Sequence, residues 1–187
     1  SSPLIGYSIR VFYHKKENHL KYILRALLFL ILTGLFFYFD LDLITMEIIA
    51  GIRNPVLTFI MEFFSFLGSV WVMVPVGAFF FFSKKGSKKV AIGTLIGFLV
   101  AHGLKLLTQR GRPTASPLAN ESTYSFPSAH TLANDVFYNL LGIGKPWIRL
   151  AISYIIAFSR IYLGVHFPTD VFFAFFASSL ILFGFDY

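Results

Sequence analysis

Cysteine is absent from the sequence, so neither a disulfide framework nor thiolate chemistry is available. Charge is scarce as well. Only 13% of the 187 residues are Asp, Glu, Lys or Arg, about half the share that keeps an ordinary soluble domain in water. No carboxylate cluster suited to magnesium is present, so no metal or other cofactor is expected. No repeat, low-complexity stretch or linker divides the chain, which predicts one domain over residues 1–187.

What the sequence has in quantity is apolar surface. Hydrophobic residues make up 56% and aromatic residues 19%, with a mean hydropathy of +0.71. These values predict an all-α integral membrane protein, because a buried core of this size would leave no surface able to face water. The net charge of +7 could suit nucleic acid. The basic residues instead gather at short loops between apolar runs, which is the pattern of a membrane protein. The bilayer is the expected partner, and no obligate protein partner is inferred.

A membrane-crossing helix needs roughly 20 apolar residues, fewer where neighbours help. Leu20 to Phe39, Ser69 to Phe82, Val90 to Leu107, Ser128 to Leu141, Trp147 to Leu163 and Thr169 to Phe185 predict a six-transmembrane-helix bundle. Asp42 to Phe66, with Glu47, Arg53, Pro55 and Glu62, reads as short interfacial helices. The first apolar run is long enough to stay in the bilayer, so no cleavable signal peptide is expected. Eleven of the sixteen basic residues fall on one face: Arg10, Lys15, Lys16, Lys21, Arg25, Lys84, Lys85, Lys88, Lys89, Lys145 and Arg149. That face is predicted to be cytoplasmic. The other five, Arg53, Lys105, Arg110, Arg112 and Arg160, lie on the face that ordinarily avoids them.

Three motifs account for most of those exceptions. Lys105 precedes Arg112-Pro113; Pro127-Ser128-Ala129-His130 follows a polar loop; and Ser159-Arg160 leads to His166 and Asp170. If Ser128 to Leu141 crosses the membrane, Lys105, Arg112 and Arg160 meet on the outer face. Three converging cations require a dense anion, and phosphate matches both the arginine fork and the lysine point charge. Ser128 reads as the N-cap of a helix whose first N–H groups face the same anion. His166 can act as a nucleophile, with Asp170 four residues on to hold one ring nitrogen. His130 can protonate the leaving oxygen and then activate water.

These motifs resemble the signature of the type-2 phosphatidic acid phosphatase superfamily, K-x6-R-P, P-S-G-H and S-R-x5-H-x3-D. The spacing from Lys105 to Arg112, Arg160 to His166 and His166 to Asp170 is the family's. The resemblance implies that Lys105, Arg112, Ser128 and Arg160 bind phosphate, with Ala129 beside them. It also implies His130 as acid and base, His166 as nucleophile, Asp170 as orienter, and no metal. The motifs occupy residues 105–170. Ala129 stands where the family has glycine, and this substitution is expected to be tolerated.

The expected function is hydrolysis of a lipid phosphate monoester or pyrophosphate. Lipid A 1-phosphate, undecaprenyl pyrophosphate, phosphatidylglycerol phosphate and phosphatidic acid are all open as the phosphorylated lipid substrate. A bacterial inner membrane with the site on its periplasmic face is the expected location. A lipid phosphotransferase or a non-enzymatic lipid-binding or transport protein would share the cations; the former would need an acceptor lipid and the latter no nucleophile. Snorkelling span-end cations would explain Lys105, Arg112 and Arg160 only if they lay on the favoured face. Arg110 reads as a solvated loop charge, and His102 as a buried interhelical hydrogen-bonder. Asp135, on a polar stripe with Ser128, Thr131 and Asn139, reads as interhelical glue.

Overall fold

The computed structural model describes residues 3–82, 88–114, 117–142 and 144–185, with side chains from His19 onward. Lys84 and Lys85 lie outside the described residues, as do the side chains of Arg10, Lys15 and Lys16. The elements are α1 (Pro3–Tyr38), α2 (Leu41–Gly51), α3 (Pro55–Leu67), α4 (Val70–Phe82), α5 (Lys88–Thr108), α6 (Ala129–Leu141), α7 (Pro146–Tyr162) and α8 (Pro168–Phe185). Among the described residues there is no strand.

Four stretches are long and apolar enough to cross a membrane: His19–Tyr38, Pro55–Phe82, Lys88–Thr108 and Pro168–Phe185. Along α1, Leu20, Leu24, Leu27, Leu28 and Ile31 are each at least half exposed. A continuous apolar face of this kind is stable against lipid and not against water. The chain is a multi-pass membrane protein.

The stretch expected to be interfacial divides in two. Only α2 is a short separate helix, whereas α3 runs on with α4 as a single apolar stretch of 28 residues. The break between them falls at Gly68 and Ser69, where α6 presses close. Asn134 Nδ2 donates to the Gly68 carbonyl at 2.8 Å, and the Tyr138 hydroxyl donates to the Leu67 carbonyl at 3.2 Å. The polar stripe of α6 thus satisfies backbone acceptors that an interrupted helix leaves open.

α6 is the central helix. It packs on α5, α7 and α8, and Thr131 through Phe137 are all buried. At 13 residues α6 is shorter than the four apolar stretches. Being wrapped by other helices, it has no need of an apolar circumference. Close approach of α5 depends on glycine: a Cβ on Gly97 would sit 2.9 Å from Leu132 Cδ2. Asp135 accepts from Ser153 of α7 at 2.7 Å and Ser178 of α8 at 2.6 Å, and pairs with Arg25 of α1 at 2.7 Å. Interhelical glue is therefore the role the structure supports for Asp135.

Candidate active site

The end of α5, the start of α6, the end of α7 and the start of α8 meet at one end of the bundle. Local sequence makes each junction. Pro168 opens α8, where its missing N–H costs nothing. Ser128 caps α6, its Oγ accepting the Thr131 N–H at 3.3 Å and the Thr131 hydroxyl at 3.0 Å. The Ser128 N–H donates to the Asp170 carbonyl at 3.1 Å, tying α6 to α8. The first-turn N–H groups of Ala129 and His130 have no intrahelical acceptor.

His166 sits in the turn between α7 and α8, buried. Its Nδ1 faces Asp170 Oδ2 at 3.4 Å, longer than a well-formed hydrogen bond. Its Nε2 lies 3.3 Å from Arg112 Nη1. A guanidinium can only donate, so Nε2 holds the lone pair and the ring proton belongs on Nδ1, facing the carboxylate. Burial is the main force against the imidazolium. The charges of Arg160 and Arg112 add to it and Asp170 opposes it, leaving the pKa lowered to about 4. At neutral pH the ring is therefore neutral.

Asp170 is fully buried and held on both oxygens. Oδ2 accepts from the Ser125 hydroxyl at 2.5 Å and the Phe167 N–H at 2.8 Å, and Oδ1 accepts from Arg110 Nη1 at 2.7 Å. Around this pair stand the expected cations. Arg112 donates to the carbonyls of Thr123 and Val165, each at 2.6 Å. Lys105 Nζ donates to the carbonyls of Tyr124 and Ser125. Arg160 Nη1 donates to the Ser65 hydroxyl at 2.5 Å, and its Nη2 pairs with Glu121. The other Glu121 oxygen lies 3.8 Å from Arg112 Nη2. The charges of Arg160, Arg112 and Lys105 all act on the His130 ring. An open cleft of about 500 Å³, lined by His102, Lys105, Arg110, Arg112 and Thr123, lies beside two of the three cations.

Comparison with known proteins gives the family. The family model described as the PAP2 superfamily matches residues 87–185, which contain all three motifs. The chain belongs to the PAP2 superfamily. Phosphatidylglycerophosphatase B of Bacillus subtilis (strain 168) is 31% identical over 158 residues, 72% of this chain and 78% of the relative. Undecaprenyl-diphosphatase of Sulfolobus acidocaldarius is 31% identical over 126 residues, 60% of this chain and 61% of the relative. The crystal structure of a transmembrane PAP2-type phosphatidylglycerolphosphate phosphatase from Bacillus subtilis superposes with a TM-score of 0.70 at 28% identity. It covers 89% of this chain and 94% of that one. Aquifex aeolicus LpxE superposes with a TM-score of 0.67 at 28% identity, covering 78% of this chain and 93% of that one. Membership of the superfamily makes the chain a phosphatase of the membrane lipid-phosphatase kind.

Several site neighbours of this PAP2 protein are not among the fixed positions of its motifs. Arg110, expected to be a solvated loop charge, instead bonds Asp42 of α2, Thr169 and Asp170 through one guanidinium. Ser65 and Asp42 come from segments distant in sequence and carried no signal. Glu121 did carry one, as the single acidic residue in a loop that holds Arg110 and Arg112. His102 differs in the opposite direction: it is exposed, and its Nδ1 meets the Phe98 carbonyl of its own helix at 2.9 Å.

Proposed function

We propose that the chain is a single-domain, six-span lipid phosphatase that works through a covalent phosphohistidine on His166. The observation that carries this reading is the His166 ring held between Asp170 and Arg112, lone pair towards the cation. α6 and α7 supply the two crossings beyond the four long apolar stretches: α6 is wrapped by other helices, and α7 turns Trp147, Tyr154 and Phe158 outward. Lys105, Arg112, Arg160 and the first-turn N–H groups of α6 would receive the phosphate oxygens. His166 Nε2 attacks phosphorus while the bond to the lipid oxygen breaks, and His130 gives that oxygen its proton. A water then attacks phosphorus, breaking the phosphorus–nitrogen bond, as His130 takes the water's proton, releasing phosphate and restoring neutral His166. The excess of basic residues on the opposite face supports a periplasmic site in a bacterial inner membrane.

Among lipid phosphates, phosphatidylglycerol phosphate comes first, supported by the share of the chain alike to phosphatidylglycerophosphatases. Undecaprenyl pyrophosphate, lipid A 1-phosphate and phosphatidic acid complete the panel. An apolar groove of about 350 Å³ between α4 and α5, lined by Met73, Gly77, Phe81, Leu95 and Phe137, would take an acyl chain.

The test is phosphate release from this panel by the protein in detergent with EDTA present, followed from about pH 3 to 9. Release from at least one lipid, inhibited by orthovanadate, is expected. Because kcat/KM reports the free enzyme, its acid limb should follow His166. Activity is lost as pH falls through about 4, where the nucleophile protonates. Once the substrate's own ionisation is corrected for, a limb near 6.5 would mean an unshifted histidine carries the reaction. No release from any of these lipids would overturn the assignment.

Glu121 occupies the position an anion would take between Arg160 and Arg112, so incoming phosphate must displace it. Glu121→Gln is expected to lower the inhibition constant for orthovanadate by roughly tenfold, equivalent to about 1.4 kcal/mol. A constant unchanged or raised would show that Glu121 does not compete with the anion.

A further inference from the structure

The arginine that the motifs leave unassigned has the most exacting set of partners at this end of the bundle. Arg110 Nη1 donates to Thr169 Oγ1 at 2.6 Å and to Asp170 Oδ1 at 2.7 Å, and Nη2 donates to Asp42 Oδ2 at 2.7 Å. Asp42, itself buried, also accepts the Thr169 N–H at 3.0 Å and the Thr169 hydroxyl at 2.5 Å. The guanidinium lies 4.3 Å from the centre of the Phe167 ring, on the residue next to His166. One planar fork therefore joins α2 to both residues on either side of Pro168's helix start. Lysine could not reproduce the arrangement, because a single ammonium cannot bridge two carboxylates in a fixed plane.

The Asp170 carboxylate needs such a restraint. Its Oδ2 receives Ser125 and the Phe167 N–H and faces His166, so its rotation is set by what holds Oδ1. Arg110 is the side chain on Oδ1. A carboxylate rotated about its own bond would carry the His166 ring with it, and an ångström of misplacement at a nucleophile costs on the order of 100-fold in rate.

We propose that Arg110, braced by Asp42, is a positioning residue that fixes the Asp170 carboxylate and through it the attacking nitrogen of His166. The inference rests on the phosphohistidine reading and extends the working site to α2, a helix outside the family's motifs. Arg110 contacts no phosphate oxygen in this scheme. It differs in that from Arg112 two residues on, which lies against His166 Nε2.

The experiment compares wild type, Arg110→Gln, Arg110→Lys, Asp42→Asn and the Asp42→Asn/Arg110→Gln double variant, with Arg112→Ala as the phosphate-binding reference. Rates are expressed per folded molecule. Arg110→Gln is expected to lower kcat on the order of 10- to 100-fold with KM within about twofold of wild type. Its acid limb should move upward, because Asp170 would then face His166 with no arginine on its other oxygen. The remaining charges around His166 are unchanged by this substitution: Arg112 from the loop, Arg160 from α7, Lys105 from α5, Glu121 and His130. Arg110→Lys keeps the charge, so its limb should stay while kcat still falls; this variant decides the matter if Arg110→Gln does not fold. The double variant should be no slower than Arg110→Gln, since both remove the same brace.

A rise in KM like that of Arg112→Ala would make Arg110 a phosphate ligand and overturn the inference. Unaltered kcat and acid limb in folded Arg110→Gln or Arg110→Lys would reduce the network to a structural anchor. A wild type silent on every lipid, or a His166→Ala variant as active as wild type, would remove the underlying reading and this inference with it.

Discussion

Replacing His166 by alanine is expected to reduce phosphate release by a factor on the order of 10⁴ to 10⁶, the scale on which nucleophile removal acts in covalent catalysis. The expectation follows from what the ring alone supplies. Arg112, Arg160 and Lys105 can bind phosphate without it, so KM or vanadate affinity should change far less than kcat. Water would then have to attack the phosphate directly, with no neutral nitrogen lone pair beside Arg112 to take its place. His130→Ala should be milder, on the order of 10² to 10⁴, because it removes proton transfer and leaves the covalent step. Rapid-quench trapping of a ³²P-labelled, acid-labile and alkali-stable phosphoprotein would complete the case, with wild type forming it and His166→Ala unable to form it. Equal release by wild type and His166→Ala would discard the nucleophile assignment outright. Vanadate binding retained with no phosphate release by wild type would instead point to a protein that holds phosphate lipids without cleaving them.

The second large effect concerns folding. Asp135 is wholly buried at the middle of the central helix, paired with Arg25 and accepting from Ser153, Ser178 and Asn139. Arg25 itself lies among the rings of Phe29, Tyr154 and Phe175. Asp135→Asn keeps the shape but leaves a guanidinium buried without its counter-charge, which costs on the order of 3–5 kcal/mol. A marked fall in the thermal midpoint in detergent is expected, with turnover per folded molecule retained, because Asp135 lies about one and a half turns, roughly 7.5 Å, along α6 from His130. Exchanging both partners for apolar residues, Arg25→Met with Asp135→Leu, should recover much of the loss, since a buried pair is worth little net against good packing. If Asp135→Asn unfolds at the wild-type temperature, the pair is not what holds α1 to α6. If it folds normally but loses turnover, Asp135 belongs to the chemistry instead.

These two residues also mark how far the sequence could be read. His166 and Asp170 were legible because their contact is local: four residues apart at a helix start, they meet whatever the rest of the chain does. Lys105, Arg112, His130 and Arg160 were legible for a different reason, namely that their order and spacing are those of the family's motifs, and cations brought together need an anion. Asp135 was visible as a polar residue at helical spacing, but Arg25, 110 positions earlier in the sequence, was counted only as a basic residue of the opposite face. Arg110 was misjudged because a loop arginine has no periodicity to show its direction. Its partners Asp42 and Asp170 lie 68 and 60 residues away, and no spacing rule reaches that far.

By itself the sequence determined the solvent, the helical class, the family and the motif residues, since each follows from composition or from short-range spacing. Only the tertiary structure decided that α6 is the buried centre, and that Glu121 and Arg110 stand against the motif residues. Those outcomes depend on which helices pack together. A buried polar side chain finds its partner on whichever surface that packing presents, and in hydrocarbon it cannot remain without one.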